Sequence, residues 1–241
     1  MKQFNVVMLP GLLCDAAVFS RQVDALADAG GITVADLTAG TSIDAMASDV
    51  LARAPKGRFV LVGMSMGGYV ALEIMRRAPE RVSALALIGC RADPDTAAQT
   101  VRRESLIARA AHSYPRVIES LMSSMMLPEN TGTPEVGSAF QSMANSLGVE
   151  VFVRQERAIM GRQDSRPALA GIQCPTLLIA GQQDLIAPPE TQREMAAAIP
   201  GARLALIERC GHLATLEQPD QVAVILRNWL AELAHADAEQ A

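Results

Sequence analysis

Short apolar runs alternate along the chain with segments whose apolar residues recur at helical spacing. The runs are Phe4 to Leu9, Ile32 to Leu37, Phe59 to Met64, Val82 to Ile88, Thr176 to Ala180 and Leu204 to Ile207. Most are continuous rather than alternating. Continuous runs fit strands covered on both faces, as in a parallel sheet with helices on each side. Between them, Phe19 to Ala29 places Phe19, Val23 and Leu26 on one helical stripe and is stopped by Gly30-Gly31. Ile43 to Ala54 has Ser42 as its N-cap and ends before Pro55, and Met66 to Ala78 ends before Pro79. Glu190 to Ala198 follows Pro188-Pro189, and Gln218 to His235 accepts Pro219 in its first turn. Beyond His235 the tail is small and polar and is expected to fray. The alternation predicts right-handed crossovers and a doubly wound α/β sheet.

One stretch breaks the rhythm. From about 93 to 170 no strand pattern appears. Arg102 to Ala111, Arg116 to Met126, Ser138 to Leu147 and Val151 to Met160 read as helices, separated by Pro115, Pro128, Gly132, Pro134 and Gly148. The excursion is too long for a single crossover. It predicts a helical cap, or lid, over 92–171, inserted into a core made of 1–91 and 172–241.

Composition narrows the class. Half of the 241 residues are hydrophobic and aromatics make up 3%, so the core is aliphatic. A net charge of −5, with no Lys/Arg-dense run, argues against a nucleic-acid partner. No apolar stretch reaches the roughly 18 residues that span a bilayer. Cys14, Cys90, Cys174 and Cys210 are far apart and show no metal-type spacing. The opening residues lack the apolar length of a signal peptide. The expectation is a cytoplasmic protein, monomer or homodimer, with a small-molecule substrate and neither metal nor cofactor.

The candidate chemistry sits at the ends of the strands. Gly63-Met64-Ser65-Met66-Gly67 fits G-x-S-x-G, with a strand before it and a helix after it. Such a turn pushes Ser65 out at the carboxyl end of the sheet and aims the Met66 amide at the same point. A serine hydroxyl needs a base. Of three histidines, His112 falls in the cap and His235 in the tail, whereas His212 follows the last strand in Cys210-Gly211-His212. The orienting carboxylate should follow the penultimate strand, where Gly181-Gln182-Gln183-Asp184 stands. Asp93, after the fourth strand, is a minority candidate. In the loop after the first strand, the Leu12 amide is the second expected oxyanion donor and Leu13 the fallback. The flexible side chains Met122, Met125, Met126, Met143 and Met160, with Leu13, are candidates for the pocket wall. Arg91, Arg102, Arg103 and Arg154 could meet a substrate carboxylate, although solvated arginines are the commoner case.

Leu-Pro-Gly-Leu-Leu-Cys-Asp at 9–15, Gly-Met-Ser-Met-Gly-Gly at 63–68, Cys-Pro-Thr-Leu-Leu-Ile-Ala-Gly-Gln-Gln-Asp at 174–184 and Cys-Gly-His-Leu at 210–213 resemble the α/β-hydrolase superfamily. So do Arg77-Ala78-Pro79-Glu80-Arg81-Val82 and Leu216-Glu217-Gln218-Pro219. The chain looks most similar to small bacterial carboxylesterases, including the pimeloyl-carrier-protein methyl esterase type, and to 3-oxoadipate enol-lactonases. The resemblance implies a cofactor-free serine hydrolase acting on an ester, thioester or lactone through an acyl-enzyme. The same triad type also serves C–C bond hydrolases and cofactor-free haloperoxidases or perhydrolases, and the fold serves some small-molecule receptors. Two departures from the family stand out. Pro10 occupies the place of the commoner histidine before Gly11, and the oxyanion loop arrives too early for the usual pair of opening strands. The expected sheet is therefore six-stranded, all-parallel and ordered 2-1-3-4-5-6.

Overall fold

The computed structural model describes residues 4–239. Six strands, β1 (Phe4–Leu9), β2 (Gly30–Val34), β3 (Phe59–Met64), β4 (Val82–Ile88), β5 (Thr176–Gly181) and β6 (Arg203–Ile207), form one sheet. Its order is β2-β1-β3-β4-β5-β6, and every pairing is parallel, as the apolar runs implied. The burial of each strand follows its position. β3 and β5 are buried at every residue, whereas the edge strands β2 and β6 are only partly covered.

The second strand differs from its apolar run. It begins at Gly30, paired with Phe4, and ends at Val34. The two glycines read as a helix stop are thus strand residues. Gly30 has φ +136°, and a Cβ there would collide with the Phe4 backbone, so the close approach of β1 requires a glycine.

Among the described residues, eight α-helices accompany the sheet: α1 (Ser20–Ala25), α2 (Ile43–Arg53), α3 (Met66–Arg77), α4 (Ala97–Met125), α5 (Ala139–Met160), α6 (Pro189–Ala198), α7 (Ala214–Glu217) and α8 (Pro219–Glu239). Ser42 caps α2 as expected, its Oγ accepting from the Ala45 amide at 3.0 Å. The helix expected over Phe19 to Ala29 shrinks to α1 between two 3-10 turns, Ala16–Phe19 and Ala27–Ala29. The tail expected to fray after His235 stays helical through Glu239.

Between β4 and β5, the four helices read from the sequence join into two long ones. The Thr96 hydroxyl and the Gln99 side chain close a reciprocal capping box at the start of α4. Each long helix breaks where the sequence has a breaker. In α4, Ser113 leaves the helical region (φ −155°, ψ 75°) two residues before Pro115, which has no amide to donate. In α5, Gly148 takes φ +80° and ψ 173°.

A buried ionic network ties these helices to the sheet domain. Arg103 of α4 reaches Asp95 at 2.7 Å and Glu156 of α5 at 2.6 Å. Arg162, just past α5, also binds Asp95, and its guanidinium lies 4.5 Å from the centre of the Tyr69 ring on α3. Asp95 and Glu156 are sealed from water. Burial pushes the Glu156 carboxyl up, opposed by the charge of Arg103. Removing one member strands the others' charges in a dry environment. Asp95→Ala should lower unfolding free energy by about 3–5 kcal/mol, read as a reduced denaturant midpoint.

Candidate active site

The turn between β3 and α3 is a single residue long. Ser65 occupies it with φ +51° and ψ −115°. A non-glycine residue held there costs about 1–3 kcal/mol and persists only where its surroundings enforce it. Three glycines supply that enforcement by allowing close packing. A Cβ on Gly63 would lie 2.6 Å from the Gly67 oxygen, one on Gly67 would strike Leu9 of β1, and one on Gly68 would lie 2.8 Å from Cys90 Sγ. The Ser65 amide donates to Ile88 O at 2.9 Å, which fastens the turn to β4.

The loops after β5 and β6 are clasped to each other. The Gln183 amide donates to Cys210 O and the Cys210 amide to Gln183 Oε1, both at 2.9 Å. Asp184 is anchored by its Oδ1, which accepts from the amides of Ile186 (2.7 Å) and Ala187 (2.9 Å). Its Oδ2 remains for His212 Nδ1 at 2.8 Å, and His212 Nε2 lies 2.8 Å from Ser65 Oγ. All three side chains are buried, Ser65 at 7% exposure and the other two at 2%. The structure thus brings together the three residues read from the strand exits. With Nδ1–H directed at the carboxylate, Nε2 presents its lone pair to the hydroxyl. Asp93 is elsewhere, locked to Arg91 at 2.6 Å, so the minority candidate is set aside. His112 is exposed on α4.

Leu12 lines the same cavity as Ser65 and His212. Met66 is the first residue of α3, so its amide has no acceptor inside the helix. The fallback donor, Leu13, is already committed: its amide donates to the buried Gln155 Oε1 at 2.9 Å. Leu13 itself has φ +56°, so Gln155 holds a strained loop in place.

The cavity beside Ser65 has a volume of about 110 Å³. Of the side chains expected in its wall, only Met125 lines it. Leu13, Met122, Met126 and Met143 are packed into the hydrophobic core, and Met160 is half-buried away from the cavity. The reason lies in helical phase. The side of α4 turned to the cavity carries Gln99, Arg102, Arg103 and Leu106 before the kink and Leu121, Ser124 and Met125 after it, so Met122 and Met126 fall on the packing side. Among the four arginines considered, Arg91 and Arg103 are ion-paired and Arg154 donates to Thr38 O, while Arg102 lines the cavity.

Two supports escaped the sequence reading. Gly89, at the exit of β4 with φ +53°, leaves room for the His–Asp contact, since a Cβ there would come within 3.3 Å of both Asp184 Oδ2 and His212 Nδ1. A glycine at a strand exit is a readable signal. The other is Met125 O at the end of α4, which accepts from the amides of His212 (2.8 Å) and Leu213 (3.2 Å), a backbone contact with no sequence signature. The cysteines are thiols, and burial pushes Cys90 up to about 12, which keeps it neutral beside the site. Among the described residues no group of three or more His, Cys, Asp or Glu could hold a metal ion, and no helix is long and apolar enough to cross a membrane.

Comparison with known proteins agrees with this architecture. The chain is 29% identical over 214 residues to a protein named as the carbamate hydrolase RutD of Pseudomonas savastanoi pv. phaseolicola, covering 85% of this chain and 82% of that one. It is 26% identical to the pimeloyl-[acyl-carrier protein] methyl ester esterase of Nitrosomonas europaea, covering 90% and 92%. Among solved structures, a thermophilic esterase from Thermogutta terrifontis with malate bound superposes with a TM-score of 0.86 at 29% identity, covering 95% and 90%. The enol-lactonase of Burkholderia xenovorans LB400 shares the fold, with a TM-score of 0.85 at 24% identity over 96% of this chain and 92% of that one. The alpha/beta hydrolase family model matches residues 6–225. With its sheet, its strand-exit site and its hydrolase relatives, the chain is a hydrolase that belongs to the alpha/beta hydrolase family.

Proposed function

We propose that the protein is a serine hydrolase that cleaves a small carboxylic ester, thioester or lactone through an acyl-enzyme. The observation that carries the reading is the unbroken chain of two 2.8 Å contacts from Ser65 Oγ through His212 to Asp184, opening on a cavity. His212 Nε2 takes the Ser65 proton as Oγ attacks the carbonyl carbon. Asp184 steadies the imidazolium that results and stays ionised. The oxyanion is received by the amides of Leu12 and Met66, the second helped by the positive end of α3. His212 then delivers its proton to the leaving oxygen or sulfur. In the second step it takes a proton from water, which attacks the acyl carbon, and returns that proton to Ser65 Oγ as the acid departs. No step needs a metal or an organic cofactor.

The segment 92–171 serves in this reading as the cap. It closes the cavity with the inner face of α4, and the end of α4 fastens the histidine loop through Met125 O. The modest cavity, about 110 Å³, favours a short acyl group. The relatives named as carbamate hydrolases favour one second reading, attack by the same serine on a carbamate carbonyl. The four cysteines, all thiols, support a cytoplasmic location.

Ser65→Ala should fold normally and lose turnover of p-nitrophenyl acetate and labelling by a fluorophosphonate. Retention of both in a clean preparation would overturn the assignment. Asp184→Asn should keep the fold yet lower kcat by about 10⁴-fold, because the amide favours the wrong imidazole tautomer. Gln155→Leu frees the Leu13 amide and slackens the oxyanion loop. It should lower kcat by about tenfold or more, with a smaller change in KM, in steady-state assays of the same ester.

A further inference from the structure

The carbonyl that holds the histidine loop is itself held, by a side chain that does not line the cavity. The Glu217 carboxyl, at the end of α7, is buried and receives two donors on Oε2, the Leu127 amide at 2.8 Å and Asn130 Nδ2 at 2.9 Å. Both donors belong to the segment that leaves α4. The chain turns extended at Met126, and a 3-10 turn, Pro128–Asn130, follows Leu127. Glu217 stands in Leu216-Glu217-Gln218-Pro219, which no step of the reaction uses.

These bonds close a circuit. Met125 O accepts from the His212 and Leu213 amides, and Leu213 O accepts from the Glu217 amide at 2.8 Å. Glu217 Oε2 then accepts from Leu127, two residues beyond Met125. Every link but one is made by main-chain atoms on both sides. The exception is the Glu217 side chain. Gly211 shows how tightly the circuit is drawn: a Cβ there would lie 2.8 Å from Glu217 Oε1, 3.1 Å from Met126 Cα and 3.2 Å from Met125 O. The residue before His212 therefore has no room for a side chain.

Stability alone is a poor account of this arrangement. Glu217 Oε1 is buried and has no hydrogen-bond partner among the described residues. A buried oxygen without a donor is costly, and an apolar side chain would fill the space without that cost. What an apolar side chain cannot do is accept the Leu127 amide, which would then lie unpaired at the end of α4.

From this circuit we infer that Glu217 is a positioning residue for His212, acting through Leu127 and Asn130 on the end of α4 and through Met125 O on the histidine backbone. The imidazole meets Asp184 Oδ2 on one side and Ser65 Oγ on the other, each at 2.8 Å. A shift of its backbone lengthens at least one of these contacts, and a displacement of ~1 Å can cost about 10²-fold in rate. The inference rests on the serine-hydrolase reading for its kinetic consequence. Its structural consequence, a fixed His212 ring, does not depend on turnover.

The test reads both consequences. Glu217→Ala, assayed well below its unfolding midpoint, should lower kcat for p-nitrophenyl acetate by about ten- to hundredfold, with KM changed less than about threefold. Glu217→Gln keeps an oxygen that accepts from Leu127 and Asn130, and should hold kcat within about threefold of the parent. Asn130→Ala removes one of the two donors and should cost less than Glu217→Ala. Added to Glu217→Ala it should cost nothing more, because the clasp is already open. The nitrogen chemical shifts of the His212 imidazole, assigned by their loss in His212→Gln, should report a fixed Nδ1–H tautomer in the parent and in Glu217→Gln. In Glu217→Ala they should move to tautomer-averaged values. A Glu217→Ala protein that loses stability but keeps kcat and the fixed tautomer would show a merely structural role and overturn the inference. So would a Glu217→Gln protein no better than Glu217→Ala, or an averaged tautomer in the parent. If Glu217→Ala does not fold, Asn130→Ala decides, and parental kcat and imidazole shifts in that variant would overturn the inference. A ring that loosens in Glu217→Ala, while the parent turns over no ester, would leave the positioning role standing and overturn the hydrolytic reading. Ester turnover indifferent to Glu217 would do the reverse.

Discussion

Everything at the site depends on a backbone conformation that a serine does not adopt by choice. The strand-to-helix reversal at Ser65 holds a positive φ, and it survives because β1, β3, β4 and α3 crowd around it with almost no space to relax. The crowding is possible only where side chains are missing, at Gly63, Gly67 and Gly68. The strain does two things at once. It lifts a hydroxyl clear of the sheet, and it points the open amides of a helix start at the same small volume. Energy stored in one residue is offset by packing spread over many.

The histidine is held by a different means. Its ring is steered by Asp184, whose other oxygen is tied down by two amides, so the carboxylate cannot swing away. Its backbone is fastened from above by a carbonyl at the end of α4. The helices inserted between β4 and β5 are therefore part of the geometry beneath them. They close the cavity and set the height of the imidazole. Gln155 of α5 does the corresponding work for the loop after β1, reaching across 142 positions to occupy the Leu13 amide.

The ionic network of Arg103, Asp95, Glu156 and Arg162 ties α4 and α5 to each other and, through the Tyr69 ring, to α3. Buried charges of this kind contribute little net stability against an apolar alternative, but they are costly to unbalance. Here two guanidinium groups and two carboxylates fix the register of two kinked helices.

Much of the architecture was legible in the chain itself. Continuous apolar runs marked buried parallel strands because a strand covered on both faces has no polar side to alternate. Glycines around Ser65 marked a turn too tight for side chains, and each member of the Ser65, Asp184, His212 set stood in the connection that follows a strand, where open sheets present their ligands. Local signals of this sort act over a few residues. Contacts between distant positions leave no such trace. The methionines looked like a flexible pocket wall, but packing took Met122, Met126 and Met143 into the core and left Met125 at the cavity. The merging of short helices into two kinked ones, the commitment of Leu13 to Gln155 and the support from Met125 were all decided by packing. The amino-acid order determined which elements form and where the reactive groups lie along them; only the assembled tertiary structure decided which faces meet, because that depends on the summed fit of surfaces far apart in the chain.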